Sequence, residues 1–223
     1  MRKGKVFLLV GLGLLLAGCG LLPEQPPLPP DRAPAGLQAS FGAAKNAINL
    51  SWSAVERAEF YKIFRAESAD GDFLEVGQTG ATSYGDQVSE EGKWYWYKVR
   101  ACNSAGCGPY SAAVRGYAGR PPKPEGLLAS QGTFPDKIVI SWAEIPGATH
   151  YQIFRDPSPQ PGCLGLCLLA DDVRTTSFED RTAHVGVRYR YAIRACNAYG
   201  CSALSDQAIG CLNPCPPLFG HEE

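Results

Sequence analysis

The sequence predicts an all-β chain folded as two tandem seven-stranded β-sandwiches, and three observations carry that expectation. First, the chain repeats itself. Pro34-Ala35-Gly36-Leu37-Gln38-Ala39-Ser40 returns as Pro124-Glu125-Gly126-Leu127-Leu128-Ala129-Ser130, and Ser51-Trp52 and Tyr61-Lys62-Ile63-Phe64-Arg65 return as Ser141-Trp142 and Tyr151-Gln152-Ile153-Phe154-Arg155, all at an offset of 90. The offset then becomes 94: Arg100-Ala101-Cys102-Asn103 with Gly106-Cys107 matches Arg194-Ala195-Cys196-Asn197 with Gly200-Cys201. Two copies with four extra residues between Arg155 and Thr176 imply two domains of equal kind. Second, short apolar runs alternate with polar residues, and nothing sustains a 3.6-residue apolar period. Third, Gly, Pro, Asp and Asn punctuate those runs at sandwich spacing.

In the first copy the strands are expected near Gly36–Ser40, Ile48–Ser53, Phe60–Ala66, Phe73–Thr79, Ser83–Asp86, Trp94–Asn103 and Ser111–Tyr117. The domains are expected at 34–118 and 122–212, with a tail at 213–223. Pro121, Pro122 and Pro124 lie in the joint between them and predict a semi-rigid end-to-end arrangement. Residues 19–33 are proline-rich, which disfavours helix and sheet. Extended from Leu22 to Pro34 at about 3.1 Å per residue, such a stalk would reach about 40 Å.

The residues that carry the pattern resemble those of fibronectin type III domains. They are Leu50-Ser51-Trp52, Tyr61 with Ile63, and Tyr95, Tyr97, Val99, Ala101, Asn103 and Gly106, answered in the second copy by Ile140-Ser141-Trp142, Tyr151 with Ile153, and Tyr189, Tyr191, Ile193, Ala195, Asn197 and Gly200. The resemblance covers residues 33 to about 210 and implies an immunoglobulin-like sandwich. It implies that Trp52 and Trp142 are core tryptophans, and that Tyr95 and Tyr189 are corner tyrosines whose hydroxyls bond back to the loop before strand six. A true immunoglobulin domain would need a cysteine on strand two facing the one on strand six, and there is none.

Residues 1–18 read as a signal peptide: Met1-Arg2-Lys3-Gly4-Lys5, an apolar run from Val6 to Leu16 too short to span a bilayer, then small residues. Leu16-Ala17-Gly18-Cys19 resembles the lipobox of bacterial lipoproteins. That resemblance implies cleavage before Cys19, a diacylglycerol on its thiol and an acyl chain on its amine, a stable anchor when several chains are buried. The expected setting is the bacterial cell envelope, with an outer membrane or surface destination favoured over the inner membrane because Gly20, not an aspartate, follows Cys19.

Eight further cysteines remain of nine, an even number suited to an oxidising compartment. Cys102 with Cys107 and Cys196 with Cys201 flank equivalent turns, where a disulfide can close across a hairpin. Cys163, Cys167, Cys211 and Cys215 occur only in the second copy. Cross-links between loop and tail, which would anchor the tail, are expected ahead of two local bridges, which are also feasible.

The chemistry of the chain points away from catalysis. With 21 basic and 22 acidic residues there is no footprint for nucleic acid. His150, His184 and His221 lack the spacing of a metal or nucleophile motif, and Asp70-Gly71-Asp72 and Asp171-Asp172 lack the ligand count of a calcium loop, so they read as turns. No metal and no cofactor beyond the lipid on Cys19 is expected. One surface exceeds the needs of the fold. If Tyr95 and Tyr97 point inward, Trp94 and Trp96 point outward, and Phe60 and Phe64 do the same on strand three, an aromatic strip replaced by Arg188 and Arg190 in the second copy at the tryptophan positions. The functional expectation is a non-catalytic, lipid-anchored adhesion or scaffold module that binds protein or polysaccharide. The alternative is an accessory, spacing or carbohydrate-positioning subunit of an envelope carbohydrate-active complex.

Overall fold

The computed structural model describes residues 27–157 and 162–217. The signal segment 1–18, Cys19, the stalk up to residue 26 and His221 lie outside the described residues. Domain 1 contains β1 (Gln38–Ala39), β2 (Ala47–Ser51), β3 (Phe60–Ala66), β4 (Leu74–Thr79), β5 (Ser83–Gln87), β6 (Tyr95–Asn103), β7 (Gly106–Tyr110) and β8 (Val114–Gly116). Domain 2 contains β9 (Leu128–Ala129), β10 (Ile138–Ser141), β11 (His150–Asp156), β12 (Cys167–Val173), β13 (Ser177–Asp180), β14 (Arg188–Asn197), β15 (Gly200–Cys201) and β16 (Ala208–Cys211).

Each domain pairs a three-stranded antiparallel sheet, β1-β2-β5 or β9-β10-β13, with a larger one, β4-β3-β6-β7 with β8 on β6, or β12-β11-β14-β15 with β16 on β14. This is the fibronectin type III sandwich, twice. Alternation sets the layers: along β6 the residues Tyr95, Tyr97, Val99 and Ala101 are buried while Trp96, Lys98 and Arg100 between them are not. Trp52 and Trp142, each 6 % exposed, sit edge to face with Tyr61 and Tyr151 in the two cores, and burying an aromatic of this size contributes roughly 2–3 kcal/mol. The Tyr189 hydroxyl accepts the His184 N–H at 2.9 Å, as expected of a corner tyrosine. The Tyr95 ring instead lies beneath two cations, Arg65 and Lys93.

The seventh strand differs from expectation because it is two strands. β7 and β8 both pair with β6, and the break between them is bridged by Ser111, whose hydroxyl accepts the Val99 N–H and whose N–H donates to the Val99 carbonyl. In domain 2, Ser202 and Ser205 do the same for Ala195 and Ile193. A hydroxyl can replace a ladder partner where Pro109 and the shift in register interrupt the backbone pairing.

The four cysteine pairs are Cys102–Cys107, Cys163–Cys167, Cys196–Cys201 and Cys211–Cys215. The loop-to-tail cross-links expected above are therefore replaced by local bridges, and register explains why. Cys167 faces Arg155 on β11, Arg155 faces Tyr191 on β14, and Tyr191 faces Ala208 on β16. The loop and the tail share a pole of the domain but leave from opposite edges of one sheet. Three strand spacings separate them, about 14 Å, whereas a disulfide bridges Cα atoms up to about 7 Å apart. The tail is held by backbone and guanidinium bonds instead: Asn213 N–H to Phe134 O at 2.9 Å, and Arg188 to the carbonyls of Pro216 and Pro217.

The proline segment also departs from a free stalk. Asn103 Nδ2 donates to the Leu28 carbonyl at 2.8 Å, Asp31 pairs with Arg57 at 2.9 Å, and Pro30 is buried against the domain. Gly108 is needed there, since a Cβ would stand 2.5 Å from the Pro30 carbonyl oxygen. From Leu28 onward the segment lies on domain 1, so those residues add no reach.

Candidate binding face

The outer face of the large sheet of domain 1 carries aromatic rings interleaved with cations. Phe64 lies opposite Lys98, and Lys62 opposite Arg100. Phe64 meets Tyr110 edge on at 5.1 Å, the Arg100 guanidinium lies 4.6 Å from the Tyr110 ring, and Lys98 Nζ stands 4.0 Å over Phe73. Arg100 is held in place by donating to the Gly108 and Cys107 carbonyls at 2.8 and 3.3 Å. Lys62 is neutralised by Glu75 at 2.9 Å. Tyr110 is 46 % exposed and is the most open ring of the group. Aromatic faces backed by oriented N–H donors suit sugar rings and aromatic or acidic side chains alike.

The expected strip of Trp94, Trp96, Phe60 and Phe64 does not form as one surface. Phe60, Phe64 and Trp96 lie on the outer face, all partly covered. Trp94 precedes β6, so the two-residue alternation does not yet govern it, and its ring turns away into the domain joint. There it meets Tyr117 at 5.2 Å and Phe41 at 6.1 Å, lies under Arg115 at 4.2 Å, and packs against the core cluster of domain 2.

The joint is a second built feature, and its prolines are its one direct sign in the sequence. The buried Tyr117 donates to the Pro146 carbonyl at 2.7 Å. Asn197 Nδ2 donates to the Gly119 carbonyl at 2.9 Å, the Tyr199 hydroxyl to Ala43 O at 3.2 Å, and Lys123 pairs with Asp206 at 2.7 Å. Burial, with the nearby Tyr151 adding to it, pushes the Tyr117 phenol up to about 12. Gly147 shows how tight the contact is. Its equivalent in domain 1, Arg57, has the same left-handed φ, so backbone angle alone does not demand glycine. A Cβ at Gly147, however, would meet the Phe41 carbonyl at 2.5 Å and the Tyr117 hydroxyl at 2.6 Å.

Each domain also buries an Arg–Asp–Tyr cluster that the repeat contains but sequence reading passed over. Arg65 and Tyr97 donate to Asp86 Oδ2, each at 2.8 Å. Arg155 and Tyr191 donate to Asp180 Oδ2 at 2.5 and 2.6 Å, and Thr182 adds its N–H and hydroxyl to Oδ1. Burial alone would raise the Asp180 carboxyl, but the hydrogen bonds from Tyr191, Arg155 and Thr182 outweigh it and hold the group below its ordinary value. The signal available was the matched trio at offsets 90 and 94, Arg65/Arg155, Asp86/Asp180 and Tyr97/Tyr191. The domain 2 cluster is sealed in its core, whereas in domain 1 Arg65 stays partly open to solvent; both act as structural locks.

Of the remaining expected residues, Asp171 and Asp172 are not turn residues but lie within β12, where the register against β11 shifts; Asp172 has a positive φ there and pairs with Arg174. Gly71 N–H closes a turn onto Ser68 O. His184 supplies the backbone bond to Tyr189 described above. His150, Cys196 and Cys201 offer donor atoms within 4.8 Å of one another, though the two sulfurs are bonded to each other. Among the described residues no helix is long and apolar enough to cross a membrane.

No family model matches the chain. Parts of it are similar to two amylopullulanases. One, from Thermoanaerobacterium saccharolyticum, is 35 % identical over 80 residues, and one from Thermoanaerobacterium thermosulfurigenes is 33 % identical over 90. Those stretches are 36 % and 40 % of this chain but only 6 % and 5 % of the amylopullulanases. Among solved structures, the FN1–FN3 domains of chicken CNTN1 align over 81 % of this chain and 67 % of that one, at 19 % identity and a TM-score of 0.39. A two-domain fibronectin type III segment of chicken tenascin aligns over 80 % and 98 %, at 18 % identity and 0.36. An Fn3-like protein from Clostridium thermocellum aligns over 43 % and 94 %, at 25 % identity and 0.34.

Proposed function

We propose that the protein is a non-catalytic, lipid-anchored binding module of the bacterial cell envelope, in which two rigidly joined fibronectin type III sandwiches present the outer sheet face of domain 1 to a polysaccharide or protein. The observation that carries the reading is the Phe73–Lys98 and Phe64–Tyr110–Arg100 arrangement, since neither core needs it. An inward-facing set already fills the sandwich, so these rings are kept at the surface at a cost in solubility that binding would explain. The Leu16-Ala17-Gly18-Cys19 tail supports the anchor.

A second reading has its own support. A stretch the size of one domain occurs within two amylopullulanases, large proteins of which it is a small part. A module of this kind attached to an envelope carbohydrate-active complex would space or position a separate catalytic unit.

A form of the protein without its first 19 residues, tested on a glycan array and in pull-downs from envelope extract, separates the two. Glycan binding alone favours the accessory reading, and capture of one defined protein favours the scaffold. In either case the variant F64A/Y110A should lose at least about 2 kcal/mol of binding, some thirtyfold, because such rings are typical anchors. Unchanged binding by that variant removes the face from consideration. For the anchor, Cys19→Ser should abolish [³H]palmitate incorporation and move the protein from the membrane to the soluble fraction. Persistent labelling of the variant would falsify the lipoprotein reading.

A further inference from the structure

The two repeat-equivalent disulfides have different neighbours. On β11 and β14, His150 lies directly opposite Cys196, and Cys196 lies opposite Cys201. In domain 1 the same register sets Phe60 opposite Cys102 and Cys102 opposite Cys107. A ring nitrogen of His150 and the two sulfurs of domain 2 fall within 4.8 Å of one another. The histidine is oriented by its neighbour. Thr149 Oγ1 donates its one proton to the Cys196 carbonyl at 3.2 Å, so at 3.0 Å from His150 Nδ1 it accepts, and Nδ1 carries the hydrogen. That tautomer leaves Nε2 as the basic nitrogen. Cys196 is fully buried, whereas Cys201 is partly open to solvent, as is His150. Both copies thus offer a reachable outer sulfur, and among the described residues a histidine stands beside it in domain 2 alone.

We propose that Cys196–Cys201 is a thiol-exchange site assisted by His150, while Cys102–Cys107 is a plain structural staple. The co-reactant is a thiol or dithiol. The imidazole takes the proton of the incoming thiol, and the thiolate attacks Cys201 Sγ. The Sγ–Sγ bond breaks, its electron pair goes to Cys196 Sγ, and the imidazolium returns the proton there. The products are a mixed disulfide on Cys201 and a thiol on Cys196, with atoms and electrons conserved. A dithiol then completes the exchange by attacking the mixed disulfide with its second sulfur, leaving as a cyclic disulfide and releasing Cys201 reduced. Positioned proton transfer of this kind contributes about 10²–10⁴-fold in rate when fully developed. The place is consequential, since Asn197 and Tyr199 in the turn closed by this disulfide hold the Gly119 and Ala43 carbonyls across the domain joint.

The test uses the two copies as each other's control. The folded chain is incubated with dithiothreitol, quenched by alkylation at intervals, and mapped by peptide mass. Cys196–Cys201 should open at least tenfold faster than Cys102–Cys107. His150→Phe, the residue domain 1 carries there, should slow it tenfold or more at unchanged thermal midpoint. Phe60→His should accelerate opening of Cys102–Cys107. Equal opening rates before and after H150F overturn the proposal. Should H150F fail to fold, F60H decides alone: a folded F60H chain whose Cys102–Cys107 pair opens no faster than in the parent overturns it equally.

Discussion

Asp180 gathers hydrogen bonds from three other residues of domain 2. Its carboxylate receives Arg155, Tyr191 and Thr182 in a site where Arg155 is only 2 % exposed. Removing one partner of a buried pair leaves the other charge uncompensated and costs about 3–5 kcal/mol. Asp180→Asn is therefore expected to lower the unfolding free energy of domain 2 by that order, read from urea titration, and Asp86→Asn to cost domain 1 less, because Arg65 keeps 29 % of its side chain in water and can rehydrate. Since the folded carboxyl is held below its unfolded value, its contribution is present above about pH 4 and lost as pH falls through the depressed folded value. The gap between parent and D180N in urea titrations should be full at pH 6 and shrink toward pH 3. A gap that stays constant across this range would contradict an ionised Asp180. The matched Arg, Asp and Tyr were legible in the repeat, but sequence could not show that they converge, because three residues on three strands meet only once register and layer are set.

At the scale of elements, β6 divides two tryptophans that sequence treats alike. Trp96 sits within the strand, between buried Tyr95 and Tyr97, and points outward beside Ala66 and Arg115. Trp94 lies one residue before the strand and joins Phe41 and Tyr117. Trp96→Arg, at a partly covered outward position, should cost domain 1 about 1 kcal/mol and leave it folded, which urea titration checks. Trp94→Arg should leave each sandwich folded and free the domains from one another, seen as independent tumbling in NMR relaxation. If W94R tumbles as one rigid body, the ring is not part of what couples the domains. Strand alternation is a strong guide inside a strand and fails at its end, so it places Trp96 and does not place Trp94. The same limit explains the cysteines. Loop and tail share one pole of domain 2, yet the strand order puts Cys167 and Cys211 at opposite sheet edges.

Across the whole molecule, the chain grips itself at corresponding places. Asn103 holds the incoming Leu28 carbonyl above domain 1, and Asn197 holds the incoming Gly119 carbonyl above domain 2. The Asn-x-x-Gly turn of each copy thus clasps the segment that enters its own domain. At the joint this clasp is joined by Tyr117, whose phenol is pushed up to about 12. A raised folded value means the neutral phenol is favoured by folding, so its contribution is complete below about pH 10 and declines as pH rises through about 12. Tyr117→Phe removes one hydrogen bond, about 1 kcal/mol. Small-angle scattering should show the parent loosening between pH 10 and 12, with Y117F already looser at pH 8 and showing less further change. Identical profiles for the two would exclude Tyr117 as the joint's titrating contact.

The repeat, the two-residue alternation and the paired aromatics determined the fold class, the number of domains and the core by themselves, because these depend on local pattern and burial. The cysteine spacing likewise determined the bridges Cys102–Cys107 and Cys196–Cys201, whose partners are neighbours across one turn. Tertiary structure alone decided where Trp94 points, which of the remaining cysteines pair, how the proline segment is docked and what His150 faces. Each of these depends on distances between strands or domains remote in sequence, and such distances follow from sheet order and packing, which no local spacing encodes.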